Sequence, residues 1–324
     1  METLKKGTLA GLKTTWTLGK IIFPVTLIIT LLSHTPVLDW LISAIAPAMK
    51  WIGLPGEAAI PLVLGNFLNL YAGIGGILTL DTLTVQDVFI LAVMLSFSHN
   101  LFIESGVAAS VGIKLWVILL VRVGLALFSA FMINLFWDGG TEKAQYGFIS
   151  KPEAAPNGWG EITLTALEKA SLGILQLALI VIPLMIVMQY LYLKDKGWLN
   201  RFSNWMAPAM KLLGMKENTS MTMAAGLTIG LAYGAGVMMQ AAKEDGVSKK
   251  DLYLAFIFLV SCHAVVEDTL VFVPLGIPVL PLLIIRVVTA VVLTILVAYI
   301  WNKLERKNSL RKEELQHETR HHTI

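Results

Sequence analysis

Charge and cysteine are both scarce in these 324 residues. Asp, Glu, Lys and Arg make up 15% of the chain and hydrophobic residues 56%, whereas a soluble globular chain carries about 25% charged residues. Mean hydropathy is +0.72. A water-soluble domain is thereby excluded, and a multi-spanning membrane protein is expected. Cys262 is the only cysteine, which rules out an intrachain disulfide and a cysteine-built zinc centre. In its apolar surroundings it reads as a small buried hydrophobe. The net charge of +3 is small, and the placement of the basic residues offers nucleic acid no stripe to bind. A phosphate loop, a nucleotide fingerprint and a nucleophile constellation are also missing, so neither enzymatic activity nor a cofactor is expected. The first apolar run, Ile21–Leu32, follows Lys5, Lys6, Lys13 and Lys20 but lacks a small-residue cleavage site. It is expected to be retained as a span.

Within this apolar chain two polar intrusions stand out. One is Leu95-Ser96-Phe97-Ser98-His99-Asn100-Leu101-Phe102-Ile103-Glu104; the other is Leu259-Val260-Ser261-Cys262-His263-Ala264-Val265-Val266-Glu267-Asp268. A histidine followed by a carboxylate is costly inside a bilayer and marks a functional candidate. The two stretches belong to a duplication. Ala46-Pro47-Ala48-Met49-Lys50 recurs as Ala207-Pro208-Ala209-Met210-Lys211, and Gly65, Gly73 and Gly75 meet Gly226, Gly234 and Gly236 at the same offset of 161. Beyond a three-residue insertion near Glu244-Asp245-Gly246 the offset is 164. There Asp87 meets Asp251, His99 meets His263, Glu104 meets Asp268 and Arg122 meets Arg286.

Apolar length and breakers give a coarse order. The boundaries are a cytoplasmic segment 1–16, repeat 1 over 17–137, an extracytoplasmic loop 138–164, repeat 2 over 165–301 and a cytoplasmic tail 302–324. Each repeat reads as a span (17–33; 165–193), an interfacial helix (37–52; 198–214), a glycine-broken hairpin (55–80; 217–241), a broken helix carrying the histidine, and a final span (113–137; 278–301). Unwinding is expected near 104–112 and 268–278, from Gly106, Gly112, Pro274, Gly276 and Pro278. If each hairpin enters and leaves on one side, each half has three spans and the second half is inverted. Nineteen of the 25 basic residues then lie on the cytoplasmic side, four outside and two in the membrane, in line with the positive-inside rule. The expected fold is all-α and integral to the membrane, built of two inverted repeats with re-entrant hairpins, with both termini cytoplasmic in a bacterial inner membrane. Inverted repeats with broken helices at mid-membrane are a signature of secondary transporters.

The candidate site residues follow from that frame. Asn66, Asn69, Tyr71, Thr228 and Tyr233 lie near the hairpin tips, where backbone groups freed by a chain reversal need a partner or a ligand. His99, Asn100, Glu104, His263, Glu267 and Asp268 supply titratable and amide groups at mid-membrane. Arg122 and Arg286 keep their charge at any depth, so they either contact the solute or pair with Glu104 and Asp268. A spacing of H-x-x-x-E does not by itself define a metal site, and none is assigned. The methionines of the second half read as packing. Equivalent positions are expected to converge, so that Glu104 and the Glu267/Asp268 pair line one central cavity.

The order of span, interfacial helix, hairpin, broken helix and span, seen twice over about 15–301, resembles the nucleoside-recognition or Gate-domain membrane family. That pattern appears in concentrative nucleoside transporters, in the membrane part of ferrous-iron transport GTPases and in spore maturation proteins. The resemblance implies a transport domain that binds solute at its hairpin tips (around Gly73–Gly76 and Gly234–Gly236) and at its broken helices around Glu104 and Glu267/Asp268. It also implies movement against a scaffold in an elevator-like way. The Gln-Thr-Glu signature of nucleoside transporters is absent from Gly65-Asn66-Phe67-Leu68-Asn69-Leu70. The expected function is secondary transport of a small polar or anionic solute, with a nucleoside-like one as an option, coupled to protons or sodium. The expected partners are that solute, the bilayer and, as an option, further copies of the chain. The alternatives are an inorganic or metal-ion permease and a non-transporting membrane assembly factor.

Overall fold

The computed structural model describes residues 2–146, 158–194 and 197–321. The first half contains α1 (Glu2–Leu32), α2 (Pro36–Trp51), a 3-10 turn at Gly56–Ala58, α3 (Ala59–Phe67), α4 (Leu70–Leu78), α5 (Val85–Ser98), α6 (Leu101–Ser110) and α7 (Leu115–Phe136). The second contains α8 (Trp159–Lys194), α9 (Trp198–Leu212), a 3-10 turn at Glu217–Thr219, α10 (Ser220–Ile229), α11 (Leu231–Glu244) and α12 (Lys249–Ser261). It ends with α13 (Glu267–Leu270), a 3-10 turn at Val273–Leu275 and α14 (Val279–His321). The protein is all-α and integral to the membrane. Among the described residues Leu4–Leu32, Val85–Ser110, Leu115–Phe136 and Val279–Arg311 are long and apolar enough to cross a bilayer. The 36-residue α8 matches them in length.

The duplication is visible in local chemistry. Thr84 and Asp87 form a reciprocal capping box at the start of α5, and Ser248 accepts from the Asp251 N–H at the start of α12. Each cap satisfies orphan amides at a helix start. The 3-10 turns Gly56–Ala58 and Glu217–Thr219 precede α3 and α10 at the offset of 161. A Cβ on Gly65 would come within 2.4 Å of Leu95 Cδ2, and one on Gly226 within 2.5 Å of Leu259 Cδ1. The glycines therefore let α3 and α10 lie directly on α5 and α12. α3 and α4 fold back on each other in the same way, since a Cβ on Gly73 would sit 3.1 Å from the Gly65 Cα.

α1 and α8 are equivalent helices that pack along each other in opposite directions. Gly7 abuts Ile186, Gly11 abuts Ile182 and Gly19 abuts Ile174, so one residue number rises as the other falls. Gly7 and Gly11 form a G-x-x-x-G step that brings the backbones close, the usual device for joining membrane helices. Residues 2–16, set apart in the sequence reading as a cytoplasmic segment, are thus continuous with the first span and packed on α8. The tail beyond 302 likewise continues α14 without a break to His321. α8 begins at Trp159, inside the expected loop 138–164, and the described start of that loop is tied to repeat 1. The Val85 N–H donates to the Glu142 carbonyl at 2.9 Å and the Ala144 N–H to Leu83 at 2.9 Å. The Tyr146 hydroxyl donates to the Leu80 carbonyl at 2.9 Å, and burial, with Asp81 nearby, pushes that phenol above its ordinary pKa.

Gly7→Ala forces a Cβ to 2.6 Å from the Ile186 Cα and should destabilise the α1–α8 pair by about 1–3 kcal/mol. Gly124→Ala on α7 meets nothing within 4 Å and should leave the detergent melting temperature unchanged or slightly raised. Single cysteines at Thr82 and Lys249, on a Cys262→Ala background, should react with an impermeant maleimide from opposite sides of the membrane. Labelling from one side would rule out inverted halves.

Candidate functional site

The site begins where α5 and α12 stop short. The apolar run would carry each helix onward, yet Asn100 has φ 52° and Ala264 has φ 40°, the two positive-φ residues other than glycine among those described. The left-handed region costs an L-residue roughly 1–2 kcal/mol, so each reversal needs support. It comes from the hairpin of the same half: the Asn100 N–H donates to the Gly65 carbonyl at 2.8 Å and the Ala264 N–H to Gly226 at 3.2 Å.

A helix that ends inside a membrane leaves carbonyls without amide partners, and its end carries partial negative charge. Arginines from the final span of each half answer that. Arg122 Nε donates to the Phe97 carbonyl at 2.9 Å, and Nη2 donates to the His99 carbonyl and, at 2.8 Å, to Glu104 Oε2. Arg286 Nη2 donates to the His263 carbonyl at 2.7 Å and reaches Asp268 Oδ2 at 3.4 Å, while Nη1 donates to Thr269 Oγ1 at 2.9 Å. Both guanidiniums are fully buried.

The two histidines are held alike. Nδ1 of His99 lies 2.6 Å from the Leu95 carbonyl, and Nδ1 of His263 lies 2.8 Å from Leu259. Each ring is thereby turned so that Nε2 faces the other half. The ring centroids are 5.2 Å apart. Both Nε2 atoms lie 3.3 Å from the same Glu104 Oε1, and Asp268 Oδ2 lies 3.5 Å from His263 Nε2 and 4.0 Å from His99 Nε2. From the first hairpin the Tyr71 hydroxyl donates to Glu267 Oε1 at 2.6 Å, tying the two halves together.

These groups line a cavity of about 310 Å³. Leu68–Tyr71 of the first hairpin and Ile229–Leu231 of the second both contribute to its wall, together with His99, Asn100, Glu104, His263, Glu267 and Asp268. A larger groove of about 630 Å³, lined by Phe89, Phe128, Trp137 and Pro281, carries no titratable side chain and does not bear on the chemistry.

The family model described as nucleoside recognition, Gate, matches residues 15–114 and 174–290, one stretch in each half. The chain belongs to the Gate family. It is 68% identical over 297 residues to an uncharacterized membrane protein of Bacillus subtilis (strain 168), YvoD, covering 92% of this chain and 94% of that one. No solved structure matches.

Within this Gate chain the structure brings together residues from both halves. His99, Asn100, Glu104, His263, Glu267, Asp268 and Asn69 all line the one cavity. Asn69 also caps α4 by accepting from the Ala72 N–H. Two expected residues turn away: Asn66 Nδ2 donates to Leu62 on its own helix, and Thr228 Oγ1 to Ala224. The side chain of Tyr233 lies outside the described residues. Arg122 and Arg286 stand behind the cavity wall as pairs for Glu104 and Asp268, in the structural one of their two expected roles. A first break falls upstream of both expected windows, at 99–100 and 262–266, and α6 runs unbroken through Gly106 to Ser110; the expected unwinding is found in the second half over 271–278, and Gly112 takes a positive φ just past α6. Tyr71, named only as a neighbour of the tip, bonds across the halves to Glu267. Its signal in sequence is a lone phenol in an otherwise apolar, glycine-rich stretch.

Arg122 holds one carboxylate oxygen and two carbonyls, so Arg122→Leu should cost about 3–5 kcal/mol, the usual penalty for orphaning a buried partner. Pairing it with Glu104→Leu should recover part of that loss, read as detergent melting temperature.

Proposed function

We propose that this Gate protein is a secondary transporter that carries a small polar solute, neutral or cationic, through the cavity between its two hairpins. The observation that carries the proposal is the cavity's composition. Three carboxylates, two imidazoles, two amides and a phenol line it, while both guanidiniums are turned to its outside. An anionic solute would meet carboxylates there, which favours a neutral or cationic one. At about 310 Å³ the space is at the small end of ligand sites, which run from about 300 to 1,000 Å³.

The inverted arrangement supplies the transport cycle. α1 and α8, equivalent and antiparallel, have the relation that inversion about an axis in the membrane plane demands. α3 and α4 have nine residues each, about 14 Å of helix against a hydrocarbon core of about 30 Å. They therefore suit a re-entrant hairpin whose tip reaches the cavity. In this scheme the first hairpin gates one side and the second the other, in elevator-like alternating access. A proton or sodium ion, attracted by the acidic lining, supplies the drive. Both termini face the cytoplasm of a bacterial cell.

The test is ligand-induced stabilisation of purified protein, followed by uptake into proteoliposomes, with uridine, adenosine, choline and citrate as probes. Neutral or cationic probes should raise the melting temperature of the wild type and citrate should not. Tyr71→Phe and Glu267→Gln should abolish that shift without lowering the unliganded melting temperature by more than a few degrees. Stabilisation by citrate alone would overturn the solute class. A probe that binds but never accumulates in the lumen would overturn transport and favour a membrane assembly factor.

A further inference from the structure

We infer that His99, His263, Glu104 and Asp268 form a binding site for one divalent transition-metal ion. The inference shares its cavity with the transport proposal and rests on that reading only for where the ion would travel afterwards. Its first ground is the convergence of three ligand atoms. A backbone carbonyl can only accept, so the contacts at 2.6 and 2.8 Å to Leu95 and Leu259 place a proton on Nδ1 of each ring. Nε2 of each neutral ring then carries a lone pair.

Those two lone pairs point at one carboxylate oxygen, each 3.3 Å away. With neutral rings, no hydrogen lies among three electron-rich atoms, all of them in buried side chains. Such a grouping repels itself unless a positive centre sits within it. The ligand atoms of His99, Glu104 and His263 all lie within 4.8 Å of one another. A tetrahedral ion with bonds of about 2.0–2.1 Å has ligand-to-ligand edges of about 3.3–3.4 Å. Both imidazole-to-Glu104 separations, 3.3 Å each, fall on that edge, and Asp268 Oδ2, 3.5 Å from His263 Nε2 and 4.0 Å from His99 Nε2, is the nearest further oxygen for the fourth position.

The outer contacts fit a metal site. Ligating imidazoles almost always donate their other N–H to a carbonyl or carboxylate, and ligating carboxylates are themselves hydrogen-bonded. Here Leu95 and Leu259 hold the rings. Arg122 takes Glu104 Oε2 and leaves Oε1 facing the imidazoles, while Arg286 approaches Asp268. Two guanidiniums face three carboxylates in and around the cavity, so the surroundings tolerate added positive charge. Two imidazole nitrogens with carboxylate oxygens suit zinc, iron(II), cobalt(II) or manganese(II). Magnesium and calcium prefer all-oxygen cages, and copper(I) prefers sulfur.

The experiment is a cobalt(II) titration of the chelator-stripped, full-length protein in detergent, read by visible absorption. One equivalent should bind with the intense ligand-field bands of a four-coordinate ion, and zinc should displace it. His99→Ala and His263→Ala should each weaken binding by ~100-fold or more, since even outer-shell losses cost 10–100-fold. If those variants fail to fold, X-ray absorption of the zinc-loaded wild type decides: two imidazoles per zinc support the site, and one or none overturns it. Absence of cobalt and zinc binding also overturns it, leaving a proton as the positive centre between the rings. Retention of the uridine- or choline-induced shift in a His99→Ala protein that has lost cobalt would support a metal site separate from the solute contacts. Metal binding without uptake of any probe would support the site and count against transport alone.

Discussion

The architecture depends on how an interrupted helix is made tolerable in a low-dielectric setting. α5 and α12 end at a histidine whose carbonyl has no amide partner within its own helix, and in each half an arginine from the final span supplies the missing donors. That interaction fixes the break, the break aims the imidazole, and the same guanidinium anchors the acid that the imidazoles face. Without the arginine the carbonyls of the broken helix and the carboxylate would lose that partner at once. Burial of a permanent charge is expensive, and here it is offset by two or three hydrogen bonds to groups that would otherwise be orphaned.

The hairpins serve the same purpose from the other side. Gly65 and Gly226 let their helices approach α5 and α12, and their carbonyls receive the N–H of the reversing residue. On this side the site is therefore held by packing close to the backbone, where the arginines hold it by their side chains. The Tyr71–Glu267 contact is the exception: a single side-chain bond joins the tip of one hairpin to the broken helix of the other half.

Much of this was legible in the sequence. Equivalent residues recur at constant offsets, so the pairing of His99 with His263, Glu104 with Asp268 and Arg122 with Arg286 follows from alignment of the chain with itself. Charge in an apolar chain marked the same residues. The positions of the first breaks were not legible, because Asn100 and Ala264 adopt positive φ where glycine would be the usual signal, while Gly106 lies inside a regular helix. The packing of residues 2–16 was hidden because the lysines at 5, 6 and 13 mark a cytoplasmic flank, while Gly7 and Gly11 share a face with α8. The ligand geometry lay beyond any local motif. His99 and His263 are 164 positions apart, and each histidine–acid pair alone lacks the donors that an ion needs.

The two halves are not equal partners. Glu104 serves both imidazoles and binds its arginine at 2.8 Å, whereas Asp268 sits 3.4 Å from its own. The first hairpin has a phenol to offer across the gap, and its second-half counterpart at the offset of 161 is Ala232. A machine made of two identical inverted halves would rest with equal ease facing either compartment. Under the proposed alternating access, each unequal contact would remove some of that degeneracy and give the protein a preferred idle orientation, set by its sequence rather than by any gradient.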